Sequence, residues 1–163
     1  MKELVFREKL AVHEDARGIL YEIFDPGVLR GRGFGQIYCV AARPGHVRGN
    51  HRHHRKIETF VAIKGRGQLI CWVDARCEPQ DDPRAISVPL DGAHPERIIV
   101  LPGVFHRVVP DDDADSADGD SALTFLALTD EKFNPDDPDT EPWIRLEGHL
   151  GEGRLGTDPF GSK

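Results

Sequence analysis

The chain of 163 residues contains no apolar run of membrane-spanning length, few aromatic residues (7%) and only three cysteines. A transmembrane helix needs about 20 consecutive apolar residues, so none is expected. Cys39, Cys71 and Cys77 are odd in number and show no metal-type spacing, which argues against both a disulfide framework and a closed thiolate zinc site. No signal-peptide pattern opens the sequence, so a reducing cytoplasm is the expected compartment. Positive charge is not in excess either: the net charge is −7, and six aspartates between Asp111 and Asp120 account for most of it. Without them the balance is near −1, and no bias toward nucleic acid remains. The acidic run reads as a self-repelling loop between strands, and its spacing matches no calcium-binding loop.

What the sequence does contain is a series of short β-type segments. Ile19 to Phe24, Gln36 to Ala41, Glu58 to Ile63, Gln68 to Val73, Arg97 to Leu101, Arg107 to Val109 and Leu123 to Thr129 are rich in β-branched or aromatic residues and separated by Gly, Pro or Asp. This pattern predicts an all-β sandwich or barrel. Gly65-Arg66-Gly67 reads as a hairpin turn between two strands. Gly31-Arg32-Gly33-Phe34-Gly35 lacks the following helix that a dinucleotide fingerprint requires and reads as a loop. One domain over residues 1–146 and a Gly-rich, aperiodic tail over 147–163 are expected.

The chemistry concentrates between Gly45 and Glu58. His51 and His53, two residues apart, share one face if this segment is a strand. Glu58 would fall on the opposite face of an uninterrupted strand, so a bend or bulge over His54 to Lys56 is needed to turn it inward. Two neutral imidazoles and a carboxylate suit zinc, iron, manganese or nickel. The candidate fourth ligand is His106, which closes the segment Leu101 to His106 after the apolar run Ile98-Ile99-Val100. Histidines 13, 46, 54, 94 and 149 have no comparable setting.

Gly45, His51-x-His53, Glu58 and Gly65 stand at the spacings of the first metal-binding motif of the cupin superfamily, which this segment resembles. Gly103 and His106 resemble its second motif, with Leu101 in place of a proline and Pro110 in place of an asparagine. Asp15-Ala16-Arg17-Gly18-Ile19-Leu20-Tyr21-Glu22 is similar to the Asp-x-Arg-Gly-x-x-x-Glu opening of the deoxysugar 3,5-epimerase family. There the arginine contacts the nucleotide diphosphate and the glutamate the base. Arg48-Gly49-Asn50-His51 and Lys56 match further patches of that family, although Leu20 replaces an aromatic. Closer still is the cupin domain at the C-terminus of bifunctional hexulose reductases of capsule biosynthesis, whose Arg-Gly-Asn-His-x-His-His-x-Lys-x-Glu pattern is nearly reproduced. The segment Phe133 to Thr140 resembles that domain's closing Asp-Pro-x-x-Pro-Asp-Thr, so the likeness covers residues 11 to 141. The metal-free epimerases use a tyrosine after the second motif as an acid, whereas the two tyrosines here, Tyr21 and Tyr38, both precede it.

The resemblance implies a cupin, a jelly-roll or double-stranded β-helix barrel with the metal in its mouth. It also implies a homodimer to which the N-terminal strand contributes. The expected activity is C3 epimerisation of a nucleotide-linked 4-keto-6-deoxy sugar. Removing a proton next to a ketone creates an enolate whose oxygen needs a cationic partner. A divalent ion, zinc first, held by His51, His53, Glu58 and His106 would serve, or Lys56 and Arg48 could supply the charge. The base would be His51 if no metal is bound, and His54 or a desolvated Lys56 if one is. Arg17, Glu22 and Arg48 are the expected substrate-binding residues. The alternatives are a metal-dependent oxygenase, a sugar 3,4-ketoisomerase or a non-catalytic sugar-binding cupin.

Overall fold

Short segments rich in β-branched and aromatic residues form strands, some alternating, as in Gln36–Ala42, and some continuously buried, as in residues 58–62. The computed structural model describes residues 1, 3–25, 27–28, 30–111 and 123–144. The acidic run from residue 112 onward and the Gly-rich segment 147–163 lie outside the described residues. The strands are β1 (Val5–Lys9), β2 (Val12–Asp15), β3 (Gly18–Tyr21), β4 (Gln36–Ala42), β5 (Arg48–His53), β6 (Glu58–Trp72), β7 (Ile86–Asp91), β8 (Glu96–Val100), β9 (Phe105–Pro110), β10 (Leu123–Thr129) and β11 (Thr140–Pro142). The described residues contain one 3-10 turn, Pro79–Asp81, and no α-helix. None of their helices is long and apolar enough to cross a membrane.

The long strand β6 organises the molecule because it belongs to two sheets in turn. Its first part pairs with β8 and β10, giving a sheet of order β1-β8-β6-β10-β4. Its second part pairs with β7 and β9, giving a second sheet of order β7-β6-β9-β5-β11. Two such sheets, facing one another across a shared apolar core, make the expected jelly roll. Their inner faces contribute Phe60, Leu69, Cys71, Val88, Ile98, Val108, Phe125 and Ala127 to that core.

The hairpin expected at Gly65-Arg66-Gly67 is not there, because β6 runs straight through it. Gly65 takes a positive φ of 76°, and a Cβ on Gly67 would lie 2.6 Å from the Val109 carbonyl oxygen. These glycines bend one strand from sheet to sheet and let β9 approach; they do not reverse the chain. The segment expected from Ile19 to Phe24 is shorter, ending at Tyr21, and pairs with β2, which the sequence pattern did not predict. Strands β1, β7 and β11 were likewise unpredicted. Pro89 inside β7 is tolerated because β7 pairs on one side only, with β6.

A smaller apolar cluster covers the outer face of the second sheet. Trp72 and Phe105 stack at 5.5 Å with Trp143 edge-on to Trp72, and Ile70, Ala75 and Ala85 pack around them. Each buried aromatic removes about 150–250 Å² from water, or about 4–6 kcal/mol of transfer free energy. The hairpin β2–β3 is a separate two-stranded sheet whose apolar residues Ile19 and Leu20 are 62% and 61% exposed.

Candidate functional site

The site lies between the sheets, where the inner face of β5 and β9 in the second sheet meets the start of β6 in the first. As the spacing predicts, His51 and His53 project from β5 to the same side, and His106 lies opposite His51 on β9. The strand stops at His53 and resumes at Glu58, so the turn between them brings the carboxylate inward. Potential ligand atoms of His51, His53, Glu58 and His106 all lie within 4.8 Å of one another. His51 packs edge-on against both His53 and His106, with ring centroids 4.9 Å apart in each case.

A bulge in β5 adds a fifth residue to this face. Arg48 lies opposite Val108, Gly49 opposite Arg107 and His51 opposite His106, so Asn50 is the extra residue, with φ 66°. Residues directly opposite in an antiparallel pair share a face, and Val108 and His106 are both buried inward. Without the bulge, Arg48 and His51 would face opposite ways. With it, Arg48 stands on the inner face at the exposed end of the strand.

The hydrogen bonds around the cluster fix which nitrogens face its centre. His53 Nδ1 donates to the Asp139 carbonyl oxygen at 2.8 Å, and His106 Nδ1 to the Val104 carbonyl oxygen at 3.2 Å. Carbonyls only accept, so these are the protonated nitrogens and the Nε2 atoms turn inward. There they meet Glu58 Oε2, at 3.3 Å from His53 and 3.0 Å from His106. That oxygen is buried and forms no aligned hydrogen bond. Nitrogen lone pairs facing a buried carboxylate oxygen require a positive charge between them, either protons or a cation. The donor set, three imidazoles and one carboxylate, fits a divalent metal on that count.

Burial, reinforced by the neighbouring His106, pushes the His51 pKa down to about 3, so this imidazole is neutral at physiological pH. Burial opposes protonation of His53 as well, but the Glu58 carboxylate outweighs it and raises that pKa. Despite its burial, Glu58 is held far below the usual carboxylate range by His106 and His53. His51 differs from its neighbours in another respect: among the described residues, neither of its nitrogens has a hydrogen-bond partner.

The strap from Asp130 to Trp143 holds this arrangement from behind. The buried Asp139 carboxylate accepts the backbone N–H groups of His54, Arg55 and Lys56 at 3.2, 3.0 and 3.0 Å, while its own carbonyl holds His53. Asp130 accepts Ile57 N–H at 2.8 Å. The sequence reading assigned Asp139 no role; its place in the closing Asp-Pro-x-x-Pro-Asp-Thr segment was the available signal. Lys56 is only 4% exposed, and its Nζ donates to the Pro138 carbonyl oxygen at 2.9 Å. Its charge adds a small opposition to protonation of His51 and His53.

Three expected site residues stand elsewhere. His54, expected as a base, lies beyond the end of β5 with its ring in solvent, and Nε2 is 2.9 Å from Glu141. Arg17, 90% exposed at its side chain, is engaged by Asp15 on the β2–β3 hairpin. Glu22 is exposed just after that hairpin. The structure of one chain thus gathers His51, His53, Glu58, His106, Arg48 and the charge of Lys56, but not His54, Arg17 or Glu22.

The model of the polysaccharide biosynthesis C-terminal domain matches residues 13–141. The chain belongs to that family. This family member is 24% identical over 151 residues to the spore coat polysaccharide biosynthesis protein SpsL of Bacillus subtilis, covering 83% of the chain and 86% of that protein. It is 36% identical over 64 residues to the UDP-2-acetamido-2,6-beta-L-arabino-hexul-4-ose reductase of Pseudomonas aeruginosa, a match spanning 39% of the chain and 16% of that longer protein. Among solved structures, a 3'-monoepimerase from Streptomyces bikiniensis, crystallised with dTDP-quinovose, superposes with a TM-score of 0.63 at 20% identity. That match covers 83% of the chain and 72% of the epimerase, and it shows the shared fold.

Proposed function

We propose that this chain epimerises C3 of a nucleotide-linked 4-keto-6-deoxy sugar in polysaccharide biosynthesis. One observation carries the reading: a neutral, unanchored imidazole, His51, stands beside a charge-demanding His53–Glu58–His106 cluster on the face that also bears Arg48. Such a face can take a proton from carbon, hold the resulting enolate oxygen and bind an anionic substrate. Family membership and the epimerase-like fold support it.

His51 is the residue we assign as base, with His54 turned away and the Lys56 ammonium donating to a carbonyl. Its low basicity in the free protein rises when two phosphate charges arrive nearby, since an adjacent negative charge favours the imidazolium. Arg48, at the open end of β5, is assigned to the diphosphate. His53, Glu58 and His106 would hold a divalent metal such as zinc, with His51 left unligated and free to take the proton. That ion, when bound, would supply Lewis-acid charge for the enolate. The Asp139 and Val104 carbonyls that fix the His53 and His106 tautomers keep their Nε2 atoms directed at that point.

A homodimer is part of the proposal. The exposed Ile19 and Leu20 on β3 support it, and a second copy is the route by which Arg17 and Glu22 would reach a substrate. The three unpaired cysteines support a reducing, cytoplasmic setting.

Incubation with dTDP-4-keto-6-deoxyglucose in D₂O tests the reading. Deuterium should enter C3 and the C3 epimer should accumulate. A 3,4-ketoisomerase would instead place deuterium at C4 of a 3-keto product, and no exchange with dTDP- or UDP-linked 4-keto sugars would sink both enzyme readings.

A further inference from the structure

Inverting C3 needs two proton-handling groups on opposite sides of the sugar: one removes the proton, and another returns it to the other face. The tyrosine that serves as acid in the metal-free epimerases has no counterpart after the second motif, so the acid must come from another element. Strand β4 supplies a candidate. Its residues alternate between partly buried and exposed, and Gln36, Tyr38, Val40 and Ala42 form the inward row. Tyr38 packs against the central core. It lies opposite Ala127 on β10, which lies opposite Phe60 on β6, whose ring is 5.5 Å from His106. The row beside it runs from Gln36 through Thr129 to Glu58 itself. Tyr38 thus stands on the inner row of the first sheet, two strands from Phe60 and beside the row that ends at Glu58.

We propose that Tyr38 is the general acid of the epimerisation, donating its phenolic proton to C3 from the first sheet while His51 works from the second. The inference rests on the epimerase reading above. The steps balance: the C3–H bond breaks and its proton goes to His51; the Tyr38 O–H bond breaks and a C3–H bond forms on the opposite face. The phenolate then regains a proton from solvent and the imidazolium releases one. Burial and the nearby Glu58 charge both push the Tyr38 phenol up, which keeps its proton in place at neutral pH. The other candidates on the page fit less well. Tyr21 ends the separate β2–β3 hairpin, and Cys71, opposite His106, is fully buried with its thiol pushed up to about 12.

The test is Tyr38→Phe with dTDP-4-keto-6-deoxyglucose in D₂O, following C3 deuterium in recovered substrate separately from formation of the C3 epimer. Epimer formation should fall about 10²–10⁴-fold, the usual range for losing a positioned acid, while wash-in of deuterium persists. Epimer formation at the wild-type rate would overturn the role of Tyr38 and leave the epimerase reading standing. Loss of wash-in together with epimerisation in a folded variant would also overturn it, because Tyr38 would then act before the proton returns. A wild-type protein without exchange would overturn the epimerase reading and this inference with it. Should Tyr38→Phe not fold, fluorotyrosine incorporated in a Tyr21→Phe background keeps the phenol but makes it more acidic. A changed epimerisation rate supports the proposal, and an unchanged one overturns it.

Discussion

The two faces of strand β5 carry nearly the same residue types and behave as opposites. On the inner face, His51 and His53 are withdrawn from water, and their protonation is set by burial and by Glu58. On the outer side, Arg52 and His54 both lie against Glu141, at 2.8 and 2.9 Å, with His54 largely in solvent. Arg52 also lies over the Phe105 ring, 4.5 Å from its centroid, so its role there is to cover an aromatic cluster. Imidazole chemistry is the same on both sides; dielectric and partner geometry are not. On the inner face a buried carboxylate meets two imidazole nitrogens and needs positive charge, while on the outer side the partly exposed Glu141 already has the Arg52 guanidinium.

The most damaging way to break this contrast is Glu58→Gln, which removes the charge that organises the inner face and changes little of its shape. Turnover of a 4-keto sugar nucleotide should fall at least about a hundredfold. Zinc uptake measured by equilibrium dialysis should fall with it, since the amide is a poor substitute for a carboxylate ligand. Zinc binding and turnover both unchanged in Glu58→Gln would show that the cluster is merely a packed core, and the contrast between the faces would disappear.

Much of this contrast was legible in the sequence because a strand has a period of two. His51-x-His53 gives the shared face directly, and the need for a bend before Glu58 follows from counting. The bulge at Asn50 is another matter. A single residue with φ 66° transfers Arg48 from one face to the other, and no local pattern announces it. The strand from Gln36 to Ala41 was legible as well, but the side of it that faces inward, Tyr38 included, is fixed by the pairing of β4 with β10. The Gly65-Arg66-Gly67 segment misled for a physical reason, since a glycine with positive φ suits a turn and a bend equally well. The closing Asp-Pro-x-x-Pro-Asp-Thr segment marked Asp139 without giving its role, which depends on three backbone donors more than eighty residues away. His54, expected as a base should a metal occupy the cluster, lies past the end of the strand, where its ring is more than half exposed.

A smaller effect should come from the covering of the outer face. Asp82 is buried and accepts the backbone N–H groups of Val73, Asp74 and Arg84, pinning the loop that packs over Trp72 and Phe105. Burial would raise its pKa, but those bonds and the Arg84 guanidinium hold it at about 2. A carboxylate depressed from its unfolded value near 3.9 contributes stability that is fully present above that value and is lost as pH falls toward 2. Asp82→Asn should therefore cost on the order of 2 kcal/mol at pH 7, and the gap from wild type should close in acid. Urea denaturation at several pH values measures both. Turnover per folded molecule should not change; if it does, the outer face is coupled to the chemistry and the division between faces is too sharp.

The smallest expected effect sharpens the comparison most directly, because it acts on the neighbour of a cluster residue. His54→Ala removes an imidazole one position from His53, leaves the Asp139 contact to its backbone N–H in place, and breaks only an exposed pair with Glu141. Exposed ion pairs contribute about 0.2–1 kcal/mol, so the melting temperature should move by a few degrees at most. Turnover should stay within about threefold of wild type, since a positioned base contributes about a hundredfold or more and this ring is not positioned for the site. If His54→Ala instead abolished C3 deuterium exchange while His51→Ala preserved it, the base would come from the solvent side of the turn, and the roles of the two faces would have to be exchanged.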